Sequence, residues 1–204
     1  MMQATPNAPR RPFRIAVSGA HGVGKTTFCS DLRIALLQQT KDEPTSVELI
    51  TKVARSLKAQ GIAINRGTEE DQYALFFSAH ISNLFQETTS DTTIYDRTII
   101  DSIAYATVNG NLPSSWMQFV KIVTQNVIHL IDVYFYIPIE FSLEDDGTRP
   151  PDLAYQRQLD RAVLTLLADL RPDFIRLTGD RQERIVQAIG KVSASFKSGS
   201  FGGL

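Results

Sequence analysis

From Gly19 to Thr26 the chain reads Gly-Ala-His-Gly-Val-Gly-Lys-Thr, with glycines at its start and just before a lysine and a hydroxyl. Main-chain N–H groups of such a loop converge on phosphate oxygens, and a Cβ in the wrong conformation would block the approach, which explains Gly19, Gly22 and Gly24. A helix opening at Lys25 adds partial positive charge at the same place. Lys25 would reach the outer phosphates, Thr26 would ligate Mg²⁺, and Thr27 would support the helix or touch an inner phosphate. Val23 completes the loop. His21 either faces the bound nucleotide or is an exposed loop histidine without a role.

Two further groups carry chemistry. Asp96 closes the β-branched run Thr92 to Tyr95, where a carboxylate can hold Mg²⁺ through water or take a proton from an attacking hydroxyl; its structural alternative is to cap the next helix. Arg97 follows, and Asp101 stands one helical turn on, a spacing that allows an ion pair aiming the guanidinium. Gln72, Phe76 and His80 stand at i, i+4 and i+8. That face would offer an amide and a stacking ring to a planar base, or else it borders the core.

Elements able to hold these groups are legible around them. Phe13 to Ser18 is an apolar run suited to a buried parallel strand, and Lys25 to Gln39 has helical periodicity. Strand signals recur at 47–51, 92–95, 133–137 and 174–177. Helical patterns fill about 53–60, 69–87, 97–108, 114–127, 153–170 and 182–196, with Ser114 or Ser115 as a cap. Strands alternating with helices imply a three-layer α/β fold with a five-stranded, mostly parallel sheet and right-handed crossovers. The expected organisation is a flexible arm at 1–12, one domain at 13–196, a lid at about 140–152 and a flexible tail at 197–204, unless Phe196 and Phe201 dock that tail.

With 204 residues the chain is sized for one domain, and 43% hydrophobic with 21% charged residues excludes a wholly disordered chain. Lysines and arginines total 21 against 22 acidic residues, so no global basic field draws nucleic acid. The lone cysteine, Cys29, allows no internal disulfide and fits a reducing cytoplasm. The most apolar stretch, Val127 to Ile137, contains His129 and Asp132 and is too short for a membrane span.

An Asn-Lys-x-Asp guanine-reading element is absent and the chain is short for a ring ATPase, so ATP is the expected donor. Four stretches, GAHGVGKTT at 19–27, VAR at 53–55, DRTIIDSIAY at 96–105 and DGTR at 146–149, make the chain similar to the P-loop nucleoside and nucleotide kinases. The resemblance is strongest to the kinase domains of the NadR type. It implies a P-loop NTPase fold of the nucleotide kinase kind, ATP and Mg²⁺ as cofactors, and acceptor or phosphate binding by Arg97. It also implies a lid whose arginine, Arg149, closes over the transferred group, with Arg157 or Arg161 as helpers. The adenine would lie near 178–181.

The chain departs from this family in one place. Nucleoside kinases carry a glutamate just after the second strand, and here the stretch reads Thr51-Lys52-Val53-Ala54-Arg55. Either Asp96 is the base, or Glu48 reaches in, or the acceptor is already anionic and is met by Lys52 and Arg55. The expected acceptor is a small nucleoside or nucleotide, or a hydroxymethylpyrimidine in DNA as in some viral relatives, with phosphate contacts from Arg10, Arg11 and Arg14. A nucleoside monophosphate kinase and a non-catalytic ATP-binding regulatory module are the alternatives, and a homodimer is among the allowed assemblies.

Overall fold

The apolar run Phe13–Ser18 forms β1, buried along its whole length because both faces of a central parallel strand are covered. It is followed by α1 (Lys25–Gln38), β2 (Val47–Ile50), α2 (Val53–Ala59), α3 (Glu70–Phe85), β3 (Thr92–Asp96) and α4 (Ile99–Asn109). Then come α5 (Ser114–Val127), a 3₁₀ turn (Ile128–Leu130), β4 (Val133–Tyr136), α6 (Leu153–Leu170), β5 (Ile175–Arg176) and α7 (Arg181–Lys197). The structure is a computed structural model, which describes residues 11–38, 46–51, 53–62, 70–110, 112–140 and 152–197. Lys52, Arg149 and nearly all of the expected lid lie outside the described residues, as do Arg10 and Phe201.

The sheet runs β2-β3-β1-β4-β5, and every described pairing is parallel. The order reverses on the two sides of β1, so the chain leaves β1 and β3 in different directions and opens a crevice at their carboxyl ends. In register, Val17 of β1 faces Asp96 of β3. The phosphate loop and that carboxylate are therefore neighbours by strand pairing alone.

Alternation along the strands splits the core. Ile15 and Val17 pack with Phe28, Leu32 and Val192 under α1 and α7, while Ala16, Tyr95 and Tyr134 pack with Ile100, Ile103 and Leu167 on the other face. The first turn of α4 is set differently from expectation. Thr98, not Asp96, is its N-cap, with Asp101 completing a reciprocal capping box, and Gly110 closes it at φ 68°. At α5 the cap position is Pro113, without a side-chain bond, so neither Ser114 nor Ser115 caps it.

The end of the expected arm is pinned. Arg11 donates to both carboxylate oxygens of Asp132 at 2.9 and 2.7 Å, and Asp132 also accepts the Arg14 N–H at 2.8 Å. Arg14 itself is buried in β1. Arg14 is thereby closed off from a DNA backbone, while Arg11, partly exposed, is engaged by Asp132. At the other end Phe196 stacks on Phe13 with ring centroids 4.2 Å apart.

Candidate active site

The loop between β1 and α1 has the shape that its glycines permit. A Cβ at Gly19 would stand 2.4 Å from the Ile137 carbonyl oxygen, and Gly24 holds φ +87°, a left-handed value that favours glycine. Lys25 is buried, and its ammonium donates to the Gly19 carbonyl at 2.7 Å and to the Ala20 carbonyl. Burial, and then the charge of Arg97, pull its pKa down to about 7. A cation held this way on loop carbonyls is poised to turn to phosphate oxygens. Gly22 and Thr27 are exposed on the mouth of the loop, and Val23 packs on the α1 side of the core.

The Thr26 hydroxyl donates to Asp96 Oδ2 at 2.6 Å, and Asp96 Oδ1 is buried with no hydrogen-bond partner. Two hard oxygen groups, one with an unused acceptor, suit Mg²⁺, which takes few protein ligands and otherwise binds phosphate and water. Thr26 and Asp96 are thus the residues that would hold the ion, beside a loop that fits a triphosphate.

Arg97 adopts φ 81°, the single positive value among the described non-glycine residues. Its N–H donates to the Val17 carbonyl at 3.0 Å, and the capped turn that follows leaves it no other course. The guanidinium lies 5.7 Å from the Tyr105 ring centroid and donates to the Tyr105 hydroxyl at 3.4 Å. The expected Arg97–Asp101 pair does not form. Asp101 instead accepts from Ser18 Oγ at 2.5 Å and from the Thr98 N–H at 3.0 Å, because the capping box claims it. Ser18 also meets the Tyr134 hydroxyl at 2.7 Å, and Tyr134 in turn meets Thr98. Burial pushes the Tyr134 phenol far up, so this network keeps a neutral phenol beneath the loop.

Next to the transfer centre opens a cavity of about 270 Å³. Thr26, Asp96 and Arg97 form its inner end, Thr51, Val53, Ala54 and Arg55 its β2 side, and Tyr73, Phe76 and His80 the α3 wall. His21, Asp101, Ser102 and Tyr105 complete it. Phe76 and His80 therefore share the expected face toward a pocket, but Gln72 does not line it. The aromatic position taken from spacing is joined by Tyr73 and Tyr105, which sequence reasoning missed. Tyr105 sat inside the quoted motif, while Tyr73 carried no signal beyond being an aromatic in a helix. Burial, followed by the charge of Arg97, lowers the His80 pKa to about 4, so its imidazole is neutral. His21 is likewise shifted down, by burial and then by Lys25 and Arg97.

Glu48 lines a separate groove with Arg33 and Glu87, so it does not reach this cavity. Arg157 and Arg161 are exposed on α6. The 178–181 turn lies against the phosphate loop: Gly179 N–H donates to Glu140 at 2.9 Å, and Arg184 joins Glu140 to the Val23 carbonyl. Arg181 forks onto Asp31 of α1 at 2.6 and 2.7 Å.

Comparison with known proteins agrees with this geometry. A family described as an AAA domain matches residues 14–184. A thymidylate kinase of Acholeplasma laidlawii (strain PG-8A) is 29% identical over 187 residues, covering 88% of this chain and 91% of that protein. Among solved structures, a NadR protein in complex with NR superposes with a TM-score of 0.67 at 18% identity over 90% of this chain, which spans only 52% of that one. A deoxyadenosine kinase from M. mycoides, with products dCMP and dCDP, gives 0.60 at 17% identity, covering 89% of this chain and 99% of that one. The five-stranded parallel sheet with its helices matches the folds of these structures, and the chain belongs to the AAA domain family and is a P-loop kinase.

Proposed function

We propose that this kinase transfers the γ-phosphoryl group of ATP to a nucleoside monophosphate. The observation that carries the reading is the pair of arginines in the acceptor cavity. The cavity is lined by Arg55 and Arg97, neither closed by a carboxylate ion pair among the described residues, and by Asp96 and Asp101, which are engaged by Thr26 and by Ser18 and Thr98; no carboxylate stands just after β2. A hydroxyl acceptor needs a base. A phosphomonoester does not, because its second pKa is about 6 and its oxygen is already anionic at neutral pH. What it needs is cations to hold its phosphate, and Arg55 and Arg97 supply two. The 29% identity to a thymidylate kinase points the same way.

In this reading the phosphate loop grips the donor and Arg97 and Arg55 hold the acceptor phosphate in line with it. Its oxygen forms the new bond to the γ-phosphorus as the bond to the β–γ bridging oxygen breaks, and ADP leaves. Lys25 shifts from loop carbonyls to the phosphoryl oxygens, where charge accumulates. Bound Mg²⁺ would neutralise charge across the β- and γ-phosphates. Tyr73, Phe76 and Tyr105 offer flat apolar faces to a base. Arg149 is proposed from sequence as the arginine that closes the site, and Lys52 as a further acceptor cation. The buried single thiol of Cys29 suits a reducing cytoplasm.

The test is transfer of label from γ-labelled ATP with magnesium to nucleoside monophosphates, nucleosides, nicotinamide riboside and hydroxymethylpyrimidine DNA. Label should appear on a monophosphate, and Lys25→Ala should lower turnover by at least ~10²-fold. Label on a nucleoside or on DNA alone would overturn the acceptor assignment. Labelling of none would leave a nucleotide-binding regulatory module.

A further inference from the structure

The first turn of α6 touches both halves of the site. Tyr155 is buried beneath the cavity, and its hydroxyl donates to Asn109 Oδ1 at 2.9 Å. The same amide donates through Nδ2 to the Tyr73 hydroxyl at 2.6 Å, and Tyr73 is part of the α3 wall that a base would meet. One asparagine, acceptor on one side and donor on the other, thus joins α6 to α3 through α4.

The other face of Tyr155 meets the phosphate loop. Its ring centroid lies 5.8 Å from that of His21 and 6.5 Å, edge-on, from that of Tyr105, which carries Arg97. The neighbouring Gln156, 2% exposed, donates Nε2 to the His21 carbonyl at 2.8 Å. Asp152 fixes the turn itself by accepting the Tyr155 N–H at 2.9 Å. In a low-dielectric interior the bonds of a polar chain spanning three elements strengthen one another, so cutting one loosens the rest.

We infer that Tyr155 is a positioning residue for the acceptor: through Asn109 it sets the Tyr73 wall, and through ring packing it sets His21 at the cavity mouth. This rests on the reading of the cavity as the acceptor site. Tyr155→Phe removes only the hydroxyl that begins the chain and keeps the ring. With thymidine monophosphate as the probe, its KM should rise about fivefold, the loss of one hydrogen bond. The KM for ATP should stay at its wild-type value, and the Tm should fall by only about 2 to 4 °C, the stability cost of the same bond. Tyr73→Phe cuts the other end, and the double variant should be no worse than the poorer single one, because both break the same chain. Hydrogen exchange followed by mass spectrometry should quicken in α3 around Tyr73 in Tyr155→Phe.

An unchanged acceptor KM, an equal rise for both substrates, or additive losses would overturn the inference. If the wild-type chain labels no acceptor at all, the functional reading falls, and exchange then decides the inference alone: unaltered protection in α3 of Tyr155→Phe refutes it.

Discussion

Arg97 stands at φ 81° immediately after β3, and a left-handed conformation costs a non-glycine residue about 1 to 2 kcal/mol. The position is held against that cost by the Val17 carbonyl and the Thr98 cap, which aim the guanidinium across Tyr105 into the cavity. Strain kept at such a place goes with function. Arg97→Gly should lose transfer by at least ~10²-fold, while its urea midpoint stays level or rises; a clear fall in midpoint would mean that the side chain's contacts outweigh the strain. His80 makes a prediction about pH. Burial first, then Arg97, lower its pKa to about 4, partly opposed by Asp96, against 6.5 for the unperturbed group. The unfolded chain therefore binds the extra proton between those values, so stability falls as pH drops from about 6.5 to about 4. The size is on the order of 3 kcal/mol. His80→Asn should flatten that segment of the stability–pH curve measured by denaturant titration, whereas an unchanged slope would assign it to other groups.

At the scale of the element, the turn from β3 into α4 orders the transfer centre. Thr98 accepts the Ile100 N–H at 3.2 Å, meets the buried Tyr134 hydroxyl, and lets Asp101 close the capping box. Thr98→Ala should cost about 1 to 2 kcal/mol in unfolding free energy, and Thr98→Ser should restore most of it; equal losses in both variants would point to packing of the methyl group instead. Because the same turn carries Arg97, turnover in Thr98→Ala should fall as well. The periodicity of 97–108 marked this helix, but not which residue caps it. Asp96 and Thr98 are both good caps by type. Pairing of Asp96 with Thr26 leaves the role to Thr98.

For the molecule as a whole, the strand order puts the loop after β1, the carboxylate at the end of β3 and the cavity wall of α3 into one crevice. Among the described residues no helix is long and apolar enough to cross a membrane. The ends of the domain are tied to its frame far from that crevice: Phe196 of α7 stacks on Phe13 at the start of β1, and Arg11 clasps Asp132 ahead of β4. These ties should affect stability and not chemistry. Phe196→Ala removes a partly buried ring and should cost roughly 2 kcal/mol, read as a lower urea midpoint with kcat retained. A drop in kcat at full stability would show that the far end communicates with the site.

The amino-acid sequence alone determined the phosphate loop, the alternation of strands and helices, and Asp96 at a strand end. Each of these is a local matter: a glycine pattern, a hydrophobic period, a residue type beside a boundary. The walls of the acceptor cavity were decided only in the folded chain. Gln72 and Phe76 stand four residues apart on one face of one helix, yet of the two only Phe76 lines the pocket, because the stretch of α3 beside the cavity runs from Tyr73 to His80. Glu48 and Arg55 lie close in sequence and end in different grooves, since Glu48 belongs to β2 and Arg55 to the helix α2 that begins three residues after that strand ends. The link from Tyr155 through Asn109 to Tyr73 joins residues 46 and 36 positions apart. No spacing encodes such a contact; the packing of α6 and α3 about α4 creates it.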